Sequence, residues 1–192
     1  MNHLIVYSHP NPQSFNKAIL NTYQGALQGR GHTIQVRDLY AMDFDPVLSA
    51  EDLRMLHDGH IPPEIKAEQD LVRWADVMTL ICPIWWGGFT ANLRGYIDRV
   101  FSLGFAYEEG PAGPKGLLGG KKMVIINTMG APYQVYERIG MIKSMGQVSD
   151  ECISQFCGLT VMEHKYFGNV VGCSAEERQQ MLQEVKALAE SI

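Results

Sequence analysis

Short apolar runs alternate with amphipathic segments along the chain, and this alternation limits the folds that the chain can adopt. Continuous apolar character, without alternation, is typical of strands buried on both faces and therefore of a parallel sheet. Five such runs occur, the last of them broken near Gly168: HLIVYS (3–8), TIQVRDL (33–39), VMTLIC (77–82), KMVIINT (122–128) and VMEHKYFGNVV (161–171).

Helical patterns fill the segments between the runs. Apolar residues at spacings of three and four begin at Phe15 and end before Gly29, and the last helix begins with a capping box at Ser174 and Glu177. Further helices are predicted after Pro62-Pro63, in ANLRGYIDRVF (91–101) and around Val148, Cys152, Ile153 and Phe156. The sequence predicts one α/β domain, residues 1–192, as a three-layer sandwich. Five strands without a GxGxxG loop favour the flavodoxin-like order 2-1-3-4-5 over the six-stranded dinucleotide-binding order.

Charge and composition exclude several classes of partner. The chain of 192 residues has a net charge of −5 and no basic run, which argues against nucleic acid or an anionic membrane as a partner. No apolar stretch approaches the roughly 20 residues of a membrane span, and no signal peptide is recognisable. The four cysteines form no CxxC pair and no zinc-like spacing, so we expect no metal, reduced thiols and a cytoplasmic location.

Ligands of open parallel sheets bind outside the carboxyl ends of the strands, where the strand order reverses. The first, third and fourth strands are neighbours in the predicted order, so their exits are where a site is expected. These exits read SHPNPQSFN (8–16), CPIWWGGFTAN (82–92) and NTMGAPY (127–133).

The first exit has the makings of a phosphate site. A helix N-terminus offers free N–H groups and a partial positive charge, and His9, Ser14 and Asn16 add side-chain donors. Taken alone, the segment favours an ordinary N-cap at Ser14 beside a solvated His9.

The other two exits suit a flat, polar-edged ring. Trp85 and Trp86 either cap the core or form an apolar wall beside exposed backbone donors, as an isoalloxazine requires. Backbone N–H groups in the turn Asn127–Gly130 could stabilise negative charge on a reduced ring. The three exits together predict a flavin, with its phosphate at the first exit and its ring between the other two.

At these residues the sequence resembles the NAD(P)H:quinone oxidoreductase (DT-diaphorase) family of flavodoxin-like flavoproteins, from about Leu4 to Leu188. The stretches that carry the resemblance are HPNPQSFN, RDLYAMDFDPVLS (37–49), GHIPPEIKAEQ (59–69), PIWWGG leading to GYIDRVF (95–101), GFAY (104–107) and FCGLTVME (156–163).

The resemblance implies roles for particular residues. Tyr107 corresponds to an aromatic residue on the substrate side of the ring, and Tyr136 to a tyrosine near the flavin O2 edge. Arg178 falls near an arginine that reaches the diphosphate. The segments implied to bind the flavin are His9, Ser14, Phe15 and Asn16 at the diphosphate, and Pro83, Ile84, Trp85, Trp86, Asn127, Thr128, Met129 and Gly130 along the ring.

The implied activity is two-electron transfer from NAD(P)H through the flavin to a quinone-like acceptor, by a ping-pong mechanism in a homodimer. FAD is the implied cofactor, with FMN as the alternative because an insertion that grips the adenine side in some relatives is missing before GHIPPE. In the best-known members of the family a histidine follows this tyrosine by six residues, where this chain has Ile142 followed by Lys143. Alternative functions are an FMN-dependent azo- or nitroreductase, a flavin-binding ancillary subunit of a potassium efflux system, and a one-electron flavodoxin.

Overall fold

A five-stranded parallel sheet with helices on both faces forms the centre of the molecule. The computed structural model describes residues 1–192. The strands are β1 (Asn2–Tyr7), β2 (Thr33–Asp38), β3 (Val77–Pro83), β4 (Tyr107–Gly110), β5 (Gly113–Gly116), β6 (Lys122–Thr128) and β7 (Thr160–Phe167). The sheet has the order β2-β1-β3-β6-β7, which is the predicted order 2-1-3-4-5 once the two hairpin strands, β4 and β5, are set aside.

The burial of each strand follows its place in the sheet. Every residue of the central strand β3 is buried, and β1 and β6 are buried except near their starts. The edge strands β2 and β7 are only partly buried, which explains their more polar sequences. Apolar side chains on the two faces form separate clusters, one packed against the helices Phe15–Gly29 and Ala175–Ser191 and the larger one on the opposite face.

The helices confirm most of the predicted boundaries. Ser14 caps α1 by accepting a hydrogen bond from the Lys17 amide, and the predicted capping box of Ser174 and Glu177 opens α7. The helices are α1 (Phe15–Gly29), α2 (Ala50–His57), α3 (Pro63–Trp74), α4 (Ala91–Val100), α5 (Tyr133–Arg138), α6 (Met141–Gly146) and α7 (Ala175–Ser191).

One predicted helix differs in kind. The segment Gln147–Gln155, which continues α6, is a π-helix. Of the apolar residues that marked it, only Ile153 is buried, whereas Val148, Cys152 and Phe156 are exposed. The wider π turn changes the angular spacing of side chains, so a pattern read at 3.6 residues per turn misplaces them.

Candidate active site

A cavity of about 670 Å³ opens at the carboxyl ends of β1, β3 and β6, where the strand order reverses. All the residues predicted to bind a cofactor line it, with the exception of Asn127, and four residues that sequence reasoning missed line it as well. The lining residues are His9, Asn11, Gln13, Ser14, Phe15, Asn16, Pro83, Ile84, Trp85, Trp86, Thr128, Met129, Gly130, Val170, Val171 and Arg178.

The N-terminus of α1 faces one end of the cavity with free donors. Ser14 uses its side-chain oxygen to cap the Lys17 amide. The amides of Phe15 and Asn16 donate no hydrogen bond within the protein, as the first amides of a helix have no intrahelical acceptor. Two free N–H groups and the helix dipole therefore converge where a phosphate can bind.

His9 contributes a neutral donor beside this helix. Its Nδ1 accepts a hydrogen bond of 3.0 Å from the Asn11 amide, so the ring proton is on Nε2. Burial lowers the pKa of His9 from its ordinary value, which favours this neutral form near pH 7. The centres of the His9 and Trp85 rings lie 6.0 Å apart in an edge-on arrangement, so this contact joins the exits of β1 and β3.

Arg178 reaches the cavity from α7. Its guanidinium donates a hydrogen bond of 2.8 Å to the Val170 carbonyl and lies 5.7 Å from the centre of the Phe15 ring. These two contacts hold a positive charge beside the N-terminus of α1, although Arg178 is distant from it in sequence.

A tight turn at Trp85–Gly88 forms the wall at the exit of β3. Trp85 and Gly88 exchange two backbone hydrogen bonds of 3.1 Å, and both central residues have positive φ, +53° at Trp86 and +76° at Gly87. Positive φ at both positions is the geometry of a type I′ turn, which strains a bulky residue such as Trp86. The Trp86 indole is fully exposed, and its amide donates no hydrogen bond within the protein.

The exit of β6 is tied to both of the others. The Thr128 carbonyl accepts from the Ile84 amide at 2.8 Å, and the Thr128 hydroxyl accepts from Nδ2 of Asn16 at 2.8 Å. Oδ1 of Asn16 is buried and has no partner. Buried polar atoms usually have a hydrogen-bond partner. This oxygen at the cavity wall can therefore accept a hydrogen bond from a hydroxyl of a bound molecule.

Asn127 belongs to a second cavity, on the other side of the Ile84–Trp86 segment. This cavity has a volume of about 260 Å³, is mostly apolar and contains Asn127, His164 and Ser149 among its polar residues. Neither His164 nor Ser149 was predicted as a site residue. The edge strand that carries His164 has no motif that distinguishes it in the sequence.

The two predicted tyrosines lie outside both cavities. Tyr136, on α5, is half-buried and packs against the cluster of Ile84, Met129 and Met145. Tyr107, in the unpredicted hairpin, packs its ring 5.1 Å from that of Phe156, on a separate apolar surface. The chain by itself therefore does not place Tyr107 with the other predicted residues.

The structure also shows the surroundings of Ile142, at the position of the family histidine, and of Lys143 after it. Ile142 packs against the same apolar cluster as Tyr136, while Lys143 is exposed. No group of three or more His, Cys, Asp or Glu side chains is arranged to hold a metal ion. None of the helices is both long and apolar enough to cross a membrane.

Comparison with known proteins finds similar proteins along almost the whole chain. A family model described as flavodoxin-like fold matches residues 1–189. An uncharacterised NAD(P)H oxidoreductase of Haemophilus influenzae is 39% identical over 95% of this chain and 91% of its own. NAD(P)H dehydrogenase [quinone] 1 of Cavia porcellus is 30% identical over 98% of this chain and 76% of its own. The structure of an NAD(P)H:quinone oxidoreductase from Methanothermobacter marburgensis superposes with a TM-score of 0.89 at 27% identity, covering 99% of this chain and 96% of that one.

Proposed function

We propose that this chain, which belongs to the protein family described as flavodoxin-like fold, is a flavin-dependent NAD(P)H:quinone oxidoreductase. The observation that carries the proposal is the convergence of free donors, an unpartnered acceptor and an indole wall on one cavity at the reversal of strand order. When bound, the flavin supplies two-electron chemistry, accepting a hydride at N5 from NAD(P)H and passing it to a quinone-like acceptor.

The residues of the cavity fit a flavin in chemistry as well as in shape. The free amides of Phe15 and Asn16, the Nε2–H of His9 and the charge of Arg178 would hold the phosphate end. The vacant Oδ1 of Asn16 would accept from a hydroxyl of the ribityl chain.

The ring end of the site would be formed by the other two exits. Pro83, Ile84 and Trp85 would lie along the isoalloxazine, with Thr128 and Met129 opposite. The Gly130 amide, which donates no hydrogen bond within the protein, would stabilise negative charge on the reduced ring. No side chain is needed as a nucleophile, since the protein's task is to bind both partners and orient them at a near-attack distance of roughly 3–3.5 Å.

We propose that the active form is a homodimer. Tyr107 would then lie over the substrate side of the ring in the partner's site, while Tyr136 would lie near the O2 edge of the flavin. The support is a surface near Tyr107 that leaves apolar side chains exposed, as interfaces do. These side chains are Leu48, Leu53, Leu103 and Phe156.

We propose FAD as the flavin, with FMN as the alternative. We also propose a cytoplasmic location, which is supported by four cysteines that form no disulfide. The test is mass spectrometry of the flavin released on denaturation, followed by NAD(P)H-dependent rates on menadione and on an azo dye. The proposal predicts quinone reduction. Azo reduction without quinone reduction would show the azoreductase instead, and flavin binding with negligible turnover would indicate a regulatory subunit.

A further inference from the structure

A buried polar cluster lies behind the Trp85–Gly88 turn, and the proposed reaction makes no use of it. The cluster joins β6, β7 and the π-helix through Asn127, Ser149, Asp150, His164 and Tyr166. Its central residue is His164, whose side chain is only 6% exposed. Such a network is costly to bury unless every member has a partner, so its members restrict one another's orientation.

Asn127 links the cluster to the exit of β3. Its Nδ2 donates to the Cys82 carbonyl at 2.9 Å, so Oδ1 is directed towards β7. This oxygen accepts from Nε2–H of His164 at 2.8 Å. The carboxamide can satisfy both contacts in one orientation only, because a flipped amide would place two donors or two acceptors against each other.

The His164 ring is fixed on its other side as well. Its Nδ1–H donates to Oδ1 of Asp150 at 2.7 Å, since a carboxylate oxygen can only accept, and its face stacks on Tyr166 with 3.9 Å between ring centres. The Tyr166 hydroxyl oxygen lies 3.1 Å from the same Nδ1, on the side of the ring that faces Asp150. The imidazole therefore has little freedom to rotate.

The π-helix supplies the groups that hold this ring. The Ser149 hydroxyl lies 2.7 Å from the Met145 carbonyl and 2.9 Å from Oδ1 of Asp150. The Ser154 hydroxyl in turn binds the Ser149 carbonyl at 2.8 Å. A π segment of nine residues is uncommon, and such segments occur frequently at functional sites.

We infer that His164 and Asp150 form a positioning pair which, through Asn127, holds the Ile84–Gly88 backbone in the geometry that receives the flavin ring. The inference rests on the proposed function. The chain of contacts runs from Asp150 to His164, to Asn127, to the Cys82 carbonyl, two residues before Ile84. Neither residue of the pair lines the larger cavity, so the pair acts on the ring site through backbone placement.

The experiment compares His164→Leu, which removes the donor to Asn127, with His164→Gln, whose amide can restore it. Asp150→Ala and the exposed His60→Gln serve as second variant and control. Circular dichroism and thermal unfolding establish the fold. Two measurements follow: the flavin dissociation constant by fluorescence quenching, and amide hydrogen exchange in Ile84–Gly88 and in α7 without flavin.

We expect His164→Leu and Asp150→Ala to bind flavin about tenfold more weakly, the loss of one buried hydrogen bond. Exchange should accelerate in Ile84–Gly88 but not in α7, and His164→Gln should recover most of both properties. Folded Leu and Ala variants that match the wild type in binding and exchange would overturn the inference. So would a His164→Gln variant no better than Leu, or an effect spread equally to α7. If the wild type binds no flavin, the proposed function fails. Amide hydrogen exchange in the flavin-free protein still tests whether His164 and Asp150 hold the Ile84–Gly88 backbone.

Discussion

The Asn16 side chain donates a hydrogen bond of 2.8 Å to the Thr128 hydroxyl, which joins the exits of β1 and β6 across 112 residues of sequence. This bond uses the amide nitrogen and leaves the buried Oδ1 without a partner at the cavity wall. The same residue therefore fixes the shape of the site and offers it an acceptor.

Replacing Asn16 should affect both stability and ligand binding. We expect Asn16→Ala to lower the free energy of unfolding by about 1–2 kcal/mol, because the buried Thr128 hydroxyl loses its donor. We also expect weaker flavin binding. The matched control is Asn21→Ala on the same helix, where the side chain is exposed. Denaturant titration and fluorescence quenching measure the two effects, and equal behaviour of the two variants would contradict this role for Asn16.

His9→Ala should weaken flavin binding about tenfold without unfolding the protein, because a donor to the phosphate is lost. Isothermal titration calorimetry with FAD and FMN measures the change. His60→Ala, at an exposed position away from the cavity, is the control. An unchanged affinity in His9→Ala would remove His9 from the site.

Trp86→Gly should separate stability from function. Glycine relieves the strain of positive φ, and the exposed indole has no packing to lose, so we expect a gain of about 1 kcal/mol and a Tm higher by about 2–4 °C. The part of the indole wall that Trp86 forms beside Trp85 is lost, so kcat/KM for menadione should fall. Trp74→Gly in α3, where Trp74 packs on the core, should instead lower the Tm. A Trp86→Gly variant with lower Tm or unchanged kcat/KM would disagree with this account of the turn.

We expect the buried His3 to make the folded protein less stable in acid. Burial, reinforced by His32, lowers the pKa of His3 to about 4, from 6.5 for an unperturbed histidine. Between these values the unfolded chain binds the proton and the folded chain does not, so stability falls as the pH decreases from 6.5 towards 4. Tm values across this window should fall less in His3→Leu than in the wild type. Parallel curves would show that His3 does not carry the effect.

The cysteines should differ widely in reactivity. Burial raises the pKa of Cys82 to about 12 and that of Cys157 to about 11, whereas Cys152 is exposed. A thiol-reactive disulfide reagent should therefore modify Cys152 rapidly and spare Cys82 and Cys157 until the protein unfolds. Cys152→Ser should abolish the fast phase; a fast phase that survives this change would contradict the assignment.

The sequence predicted the sheet because its central strands are buried on both faces, and burial on both faces leaves a continuous apolar run. It predicted the cavity because that sheet order brings His9, Trp85 and Gly130 to one edge. It could not predict the His164 cluster, since nothing local in VMEHKYF distinguishes a histidine that contacts Asn127 and Asp150. The π-helix was likewise missed, because its signature is a hydrogen-bond pattern and not a composition.

An anaerobic double-mixing experiment on the flavin-loaded protein tests whether the bound flavin carries electrons from NAD(P)H to a quinone. The visible flavin absorbance is followed first with NAD(P)H alone and then, after the excess is removed, with menadione. We expect rapid bleaching in the first step, full recovery in the second, and parallel double-reciprocal plots at steady state. A protein that binds no flavin, or a bound flavin that NAD(P)H does not bleach, would contradict the proposed function.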